Sequence, residues 1–384
     1  MHTIQQKRVT MSNILEHLKL INQADLRQKG KTKYPLNEII GISFFAMSAG
    51  ANDFVEIACF AEVHQQQLEQ IFPLQNGVPT HDTITRAFAM IDPTYLQNFQ
   101  TQFNELLNTN QGEKLSKILS IDGKTQKGNQ SQHQTPNHIV SIVDKHGFFL
   151  TQELVDDKSN EIPAIFQLLD SLNIKGHTIT SDAMGTQKEL VKKIRQKRAD
   201  YVLALKANQK TLHTETSRCF GDPEFLVTKC QYFKTMQKAR GCVELREYWQ
   251  SKDISDLSTK GDWIGLKTIV MTKNTMSKPD GTVSVQTRYF ISSLSLNVLE
   301  VACAIRGHWM VESSHWHLDV TFGEDANRTL EKTAAFNLNI LRKLVLNFLK
   351  LMDMSEFSGL ISLQKRRFII SCNPVKYLQQ LLTL

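Results

Sequence analysis

The chain holds 384 residues, of which 41% are hydrophobic and 22% charged; this excludes a disordered protein and exceeds one ordinary domain. No apolar run approaches the roughly 18 residues of a membrane span, and the opening MHTIQQKRVTMSNILEHLKL lacks the apolar core of a secretory signal. A formal charge of +7 suits a polyanionic partner, and six scattered cysteines without a CxxC pair read as reduced thiols of a cytoplasmic protein.

Residues 1–110 predict a helical domain. NEIIGISFFAMSAG is apolar almost all round and should be a buried helix. DFVEIACFAEVHQQQLEQIF repeats apolar residues at helical spacing. GVPTHDTITRAFAMI starts with a turn and a Thr/Asp cap, then a short helix carrying Arg86. That helix pair suits a helix-turn-helix DNA reader and a plain helical bundle equally well.

Strands and helices alternate over 115–350. KILSID is a strand, and HIVSIVDK and FFLTQELVD form a hairpin around His146-Gly147. SNEIPAIFQLLDSL is a helix capped by Ser159 or Asn160. GHTITSDAMG is a short strand ending at Asp182, QKELVKKIRQKR a helix with the stripe Leu190, Val191 and Ile194, and DYVLALK a strand. This order predicts a mixed α/β sheet with flanking helices. Residues 209–290 read as a loop-rich insertion with strands at CVELREYWQ, WIGLKTIVMTK and TRYFISSL. Helices return after Asn297, and residues 351–384 form a C-terminal helical segment.

Asp122 and Asp182 each stand at the C-terminal end of an expected strand, with a glycine within three residues. Ligand sites in open α/β sheets gather at such ends, although a single aspartate there is commonly a turn residue. On the helix after Asn297, Val298, Ala302, Ile305, Trp309 and Trp316 fall on one stripe roughly 60° wide, and Glu312 lies roughly 20° beyond Ile305. A core-facing carboxylate needs a partner, such as a metal ion or an arginine (Arg306 or Arg342). Asp319 is a weaker rival on much the same face. Three converging carboxylates suit Mg²⁺, with Mn²⁺ as a substitute. Two such ions about 4 Å apart serve phosphoryl transfer. The competing set is His308, His315 and His317 with Glu312 around zinc, without HEXXH spacing.

From Thr186 to Lys210 the chain carries an excess of six positive charges. Lys192, Lys193, Arg195 and Lys197 lie on the helix after Asp182. They form either a solvated face or a phosphate track beside that aspartate.

SIDGKTQKG, DKSNEIPAIFQLL, SDAMGTQ, DYVLALKANQ and RGHWMVES…LDVTFGEDANR resemble the insertion-sequence DDE transposases of the H-repeat-associated (ISAs-type) family. LRQKGKTKYPLNEIIGISFFAMSAGANDFVEIACFAE and GVPTHDTITRAFAMID resemble that family's associated helical domain. The resemblance implies an RNase H-like catalytic domain over 115–350 with a strand-rich insertion at about 209–290. It implies that Asp122, Asp182 and Glu312 are the catalytic triad and the ligands of two Mg²⁺ ions. Double-stranded DNA, at element ends and at a target site, is the implied partner of a homo-oligomer in the bacterial cytoplasm, with residues 1–110 binding DNA ends. Residues expected against DNA are Lys124, Lys127 and Lys158 near the first strands, then the four basic residues after Asp182. Lys206, Asn208 and Lys210 come after the DYVLALK strand, and Arg306 and His308 precede Glu312. A plain nuclease and a DNA-binding remnant are the alternatives.

Two stretches depart from the family pattern. Where the family reads H-G-R-I-E-x-R, this chain has RGCVELR, retaining Gly241, Glu244 and Arg246. HWMVESSHWHLDV is one residue shorter than the family's stretch between Glu312 and His315. In a continuous helix that shift turns Trp316 and the residues beyond it by about 100°, or forces a break at Ser313-Ser314.

Overall fold

The computed structural model describes residues 25–377 apart from 29, 31, 112–116, 157–158, 240 and 375. The described residues open with five helices. α1 (Leu36–Ser48) is buried on nearly every side, as its composition dictates. α2 (Phe54–Val63) is capped by Asp53, whose carboxylate accepts from the backbone N–H groups of Val55 and Glu56. The helical pattern that runs on to Phe72 is split at His64, where α3 (Gln65–Leu68) starts afresh. The turn lets Leu68 and Phe72 fold back on α1, where the rings of Phe45 and Phe72 lie 5.8 Å apart. α4 (His81–Met90) and α5 (Pro93–Gln111) complete the group.

The sheet then begins with β1 (Ile118–Thr125), β2 (His138–Asp144) and β3 (Phe149–Leu154), an antiparallel meander. α6 (Glu161–Ser171), capped by Asn160, leads to β4 (Thr178–Ser181); α7 (Lys188–Gln196) leads to β5 (Asp200–Leu205). β4 pairs in parallel with both β1 and β5. The next stretch holds two helices where the sequence predicts loop, α8 (Lys210–Gly221) and α9 (Pro223–Thr228). It then gives four ten-residue strands: β6 (Cys230–Ala239), β7 (Cys242–Ser251), β8 (Thr268–Ser277) and β9 (Val283–Ser292).

These four strands join the main sheet. β9 pairs antiparallel with β5, so one nine-stranded sheet runs in the order β3-β2-β1-β4-β5-β9-β8-β7-β6. β9 meets β5 only from Tyr289 to Ser292. Its residues Val283–Arg288, with the matching parts of β6, β7 and β8, therefore continue past the end of β5 as an antiparallel arm. At about 3.3 Å per residue the overhang is on the order of 20 Å.

α10 (Val298–Val320), capped by Asn297, crosses one face of the sheet from the arm to β1 and β2. α11 (Lys332–Leu351), almost wholly buried, and α12 (Leu363–Cys372) come last. α6 and α7 cover the opposite face, packing Ile165, Leu168, Leu190 and Ile194 against Leu119, Ile121 and Ile179. The apolar sides of α1, α2, α4 and α5 share one core with α11 and with Ile139, Val143 and Phe149 of the sheet. Among the described residues no helix is long and apolar enough to cross a membrane.

Candidate active site

Register brings the first two carboxylates together. The last parallel pair of β1 and β4 is Ile121 with Ser181, so Asp122 and Asp182 are the next residues on neighbouring strands. β1 does not end at Asp122, where the sequence predicts its end; it continues against β2 to Thr125, and only its parallel neighbour stops. Gly123 comes next, where a side chain would displace a neighbouring polar pair. A Cβ there would lie 2.3 Å from Glu161 Oε1 and 2.7 Å from His138 Nε2, two groups paired with each other at 2.6 Å. Asp182 starts a fastened turn: its Oδ1 accepts from the Gly185 N–H at 3.2 Å, and Asn208 Nδ2 donates to the Ala183 carbonyl at 2.6 Å.

α10 brings the third carboxylate to the same place. Asp122, Asp182 and Glu312 line one cavity of about 370 Å³ with His308, Trp309, Lys206 and Arg288. Glu312 is exposed to that cavity and does not face the core. The packed face of α10 is made by Val301, Ala304, Val311, His315 and Leu318. The stripe that meets the sheet at Ile305 overhangs the cavity by Trp309 and Glu312, so Glu312 needs no ion pair. Trp316, expected on the packed stripe, is 55% exposed. The helix runs unbroken through Ser313 and Ser314.

His308 lies under the three acids. Its Nδ1 is 3.0 Å from Thr180 Oγ1, which donates to Ser120 Oγ at 3.0 Å and so ties α10 to β4 and β1. Burial pushes the His308 imidazole down, while the charges of Asp122, Glu312 and Asp182 pull it up less strongly. His315 Nδ1 stands 3.4 Å from Asp122 Oδ2, its ring stacked on Phe149. His317 faces the other way, toward Thr321 Oγ1 at 3.1 Å. The histidines of the zinc alternative thus have three different partners and do not converge.

A second acidic group lies next along β1. Lys124 Nζ sits 2.7 Å from Asp319, 3.3 Å from Glu324 and 3.3 Å from Asp325. Burial works to lower the Lys124 ammonium, but Glu324, Asp319 and Asp325 together raise it. Glu324 is also 3.7 Å from the buried Arg342. Lys343, which burial pushes down to about 7, donates to Ser141 Oγ at 2.8 Å, and Ser141 is the β2 residue opposite Asp122.

The basic residues expected against DNA are distributed unevenly. Lys206 lines the cavity, Lys210 is exposed at the start of α8, and exposed Arg306 stands beside Trp309. Lys124 is committed to its acids, and exposed Lys127 lies 3.6 Å from Asp325. Lys158 lies outside the described residues. Lys192, Lys193 and Arg195 of α7, and Lys197 just past its end, are not beside Asp182. α7 runs back toward the start of β5, where Arg195 pairs with Asp200; Lys193 and Lys197 pair with Asp170, at 2.6 and 3.3 Å. Lys192 remains exposed there. Sequence reasoning missed Arg288, Gln286 and His213, which β9 and α8 bring to the cavity. No local pattern flags them: Gln286 and Arg288 reach the site only through the pairing of β9 with β5, and His213 through a helix in a stretch that reads as loop.

Among the described residues no group of three His, Cys, Asp or Glu side chains is gathered tightly enough to form a finished metal cage. The donor chemistry nevertheless fits a hard cation. Asp122, Asp182 and Glu312 offer carboxylate oxygens to an open cavity, as suits an ion that keeps several waters.

A mixed sheet with two carboxylates where its parallel pairing ends, joined by one from a late helix, defines an α/β protein with three acids on one cavity. Residues 91–348 match the family model described as Transposase DDE domain, and residues 15–104 match the one described as DDE_Tnp_1-associated. The chain belongs to the transposase DDE domain family, a family of DNA-processing enzymes. It is 33% identical over 371 residues to the putative transposase YncI of Escherichia coli O157:H7, covering 94% of this chain and 93% of that one. It is 31% identical over 348 residues to the H repeat-associated putative transposase YhhI of Escherichia coli strain K12, covering 88% and 90%. Membership implies an RNase H-like fold and the divalent-metal dependence general to such domains, and the H-repeat resemblance of the sequence motifs holds.

Proposed function

We propose that this protein is a DNA transposase that cuts at the ends of an insertion element and joins the freed 3′ hydroxyl to target DNA. Asp122, Asp182 and Glu312 would hold two divalent ions, with Mg²⁺ as the natural choice and Mn²⁺ as a substitute. The observation that carries the reading is the convergence of these three carboxylates, 60 and then 130 positions apart in sequence, on one cavity. Bound ions supply activation of the attacking oxygen and stabilisation of the leaving one.

The chain's own residues supply the geometry. β1 and β4 hold two acids side by side, and the His308–Thr180–Ser120 chain sets the height of α10 and therefore of Glu312. The helices of 36–111 are the candidate reader of element ends. Two ends must be handled together, which calls for a homo-oligomer on double-stranded DNA.

The test is a cleavage and strand-joining assay on DNA carrying the element's ends, with the wild type and Asp122→Asn, Asp182→Asn and Glu312→Gln. Each variant should lose cutting and keep DNA binding, because phosphate contacts supply affinity and the triad supplies chemistry. Normal cutting by Asp182→Asn removes the assignment. Cutting without joining by the wild type favours a plain nuclease.

A further inference from the structure

Beside the cavity that holds the acids stand two arginines, Arg288 on its wall and Arg306 in the adjoining groove. Arg288 on β9 and Arg306 on α10 lie against the same indole, their guanidinium carbons 5.5 and 5.6 Å from the Trp309 ring centre. Nearby Arg246 is already paired with Glu244. Among the described residues, Arg288 and Arg306 have no carboxylate within ion-pairing distance. Arg288 is half-buried. Two like charges on one ring, one of them partly desolvated, repel each other unless an anion joins them. The groove that holds both, at the root of the arm, is lined among others by Arg246, Gln286, Trp309 and one acid, Glu247, whose carboxylate accepts from the Tyr232 hydroxyl at 2.8 Å and lies beyond ion-pairing distance of either arginine. It shares Gln286, Arg288 and Trp309 with the cavity of Asp122, Asp182 and Glu312.

We propose that Arg288 and Arg306, held apart and oriented by Trp309, form a clamp for the phosphate backbone of the DNA strand whose neighbouring phosphodiester lies at the three carboxylates. This rests on the transposase reading for its ligand. Guanidinium forks suit phosphate oxygens in shape as well as charge. The acids would repel a DNA strand placed beside them, and two unpaired guanidinium groups on the adjoining wall offset that repulsion where the strand must approach most closely. The shared indole limits the freedom that each arginine loses on binding. The arm thereby acquires a role: β9 exists at this position to carry Arg288 past the end of β5.

The experiment measures affinity of the full-length protein for a fluorescein-labelled nicked duplex of arbitrary sequence, by anisotropy, across a salt series in EDTA so that no cutting occurs. Arg288→Gln and Arg306→Gln should each flatten the log–log salt slope by about 0.9, and the double variant by about twice that. Lysine at either position should restore the slope while leaving affinity below wild type. Trp309→Leu keeps both charges, so it should leave the slope in place and weaken binding severalfold. Arg306 is exposed on a helix, so its replacement keeps the fold even if that of Arg288 does not. Wild-type slopes in both single variants overturn the clamp, and so does full affinity in Trp309→Leu with respect to the indole. Because the readout is binding without cleavage, failure here is separate from failure of the triad, which normal cutting by Asp182→Asn would reveal.

Discussion

Two acidic groups stand two residues apart on the same strand and face the same helix. At Asp122 the neighbours are Asp182, Glu312 and two histidines around an open cavity, with no lysine or arginine paired to them among the described residues. At Lys124 three carboxylates close around an ammonium group that is nearly out of solvent. The second group is balanced from within the chain, since Arg342 beside Glu324 and Lys127 beside Asp325 bring the cations to three. The first is incomplete, and its surplus of negative charge in a cavity is what a cation would correct. One strand and one helix build both: α10 brings Glu312 to the first group and Asp319 to the second. The finished group fixes the spacing of the unfinished one.

Disturbing that shared helix should have the largest structural effect. Adding one residue between Glu312 and His315, to match the family's length, would turn His315, Leu318 and Asp319 by about 100°. Leu318 alone stands to lose about 2–5 kcal/mol of burial, and the Lys124 bridge would be lost with it. Urea denaturation should show a loss exceeding that of either contact alone, with cleavage at background. Greater activity than the unmodified protein would mean that the shorter helix is a defect.

Lys124→Met comes next. It leaves Glu324 buried with Arg342 as its principal counter-charge and should cost about 3–5 kcal/mol, as removal of one member of a buried pair does. Cleavage should fall with it, because the tie between β1 and α10 is gone. Unchanged stability would show that the second group is no structural clamp. The smallest effect belongs to Trp316→Ala. The indole is 55% exposed, and surface replacements of this kind stay within about 0.5 kcal/mol. A larger loss would show that Trp316 is packed in solution.

Legibility tracks the range of the forces involved. Ile118–Ile121 and the hairpin at Gly147 are readable because burial and turn chemistry are local. That Asp122, Asp182 and Glu312 share one cavity is readable because the two aspartates follow apolar strand runs in the same pattern and the helix period carries Val298 and Ile305 onto the sheet. β6 is not readable: Tyr232, Lys234, Met236 and Lys238 lie on an edge strand held by its pairing with β7, largely open to solvent, so no apolar alternation marks it. The exposure of Glu312 is not readable either, since it depends on where the sheet ends beneath α10. Lys124 looks like a DNA contact in the sequence because its three acids lie 195 to 201 positions away. The α7 lysines look free for the same reason, with Asp170 on another helix.

The central claim is that the open acids, and not the closed ones, receive the metal. Mn²⁺ titration followed by electron paramagnetic resonance, on the full-length protein with uncut DNA, tests it directly. Binding should be lost in Asp122→Asn and in Asp182→Asn and should persist in Asp319→Asn. Undiminished Mn²⁺ binding in the Asp122→Asn/Asp182→Asn double variant would contradict the account.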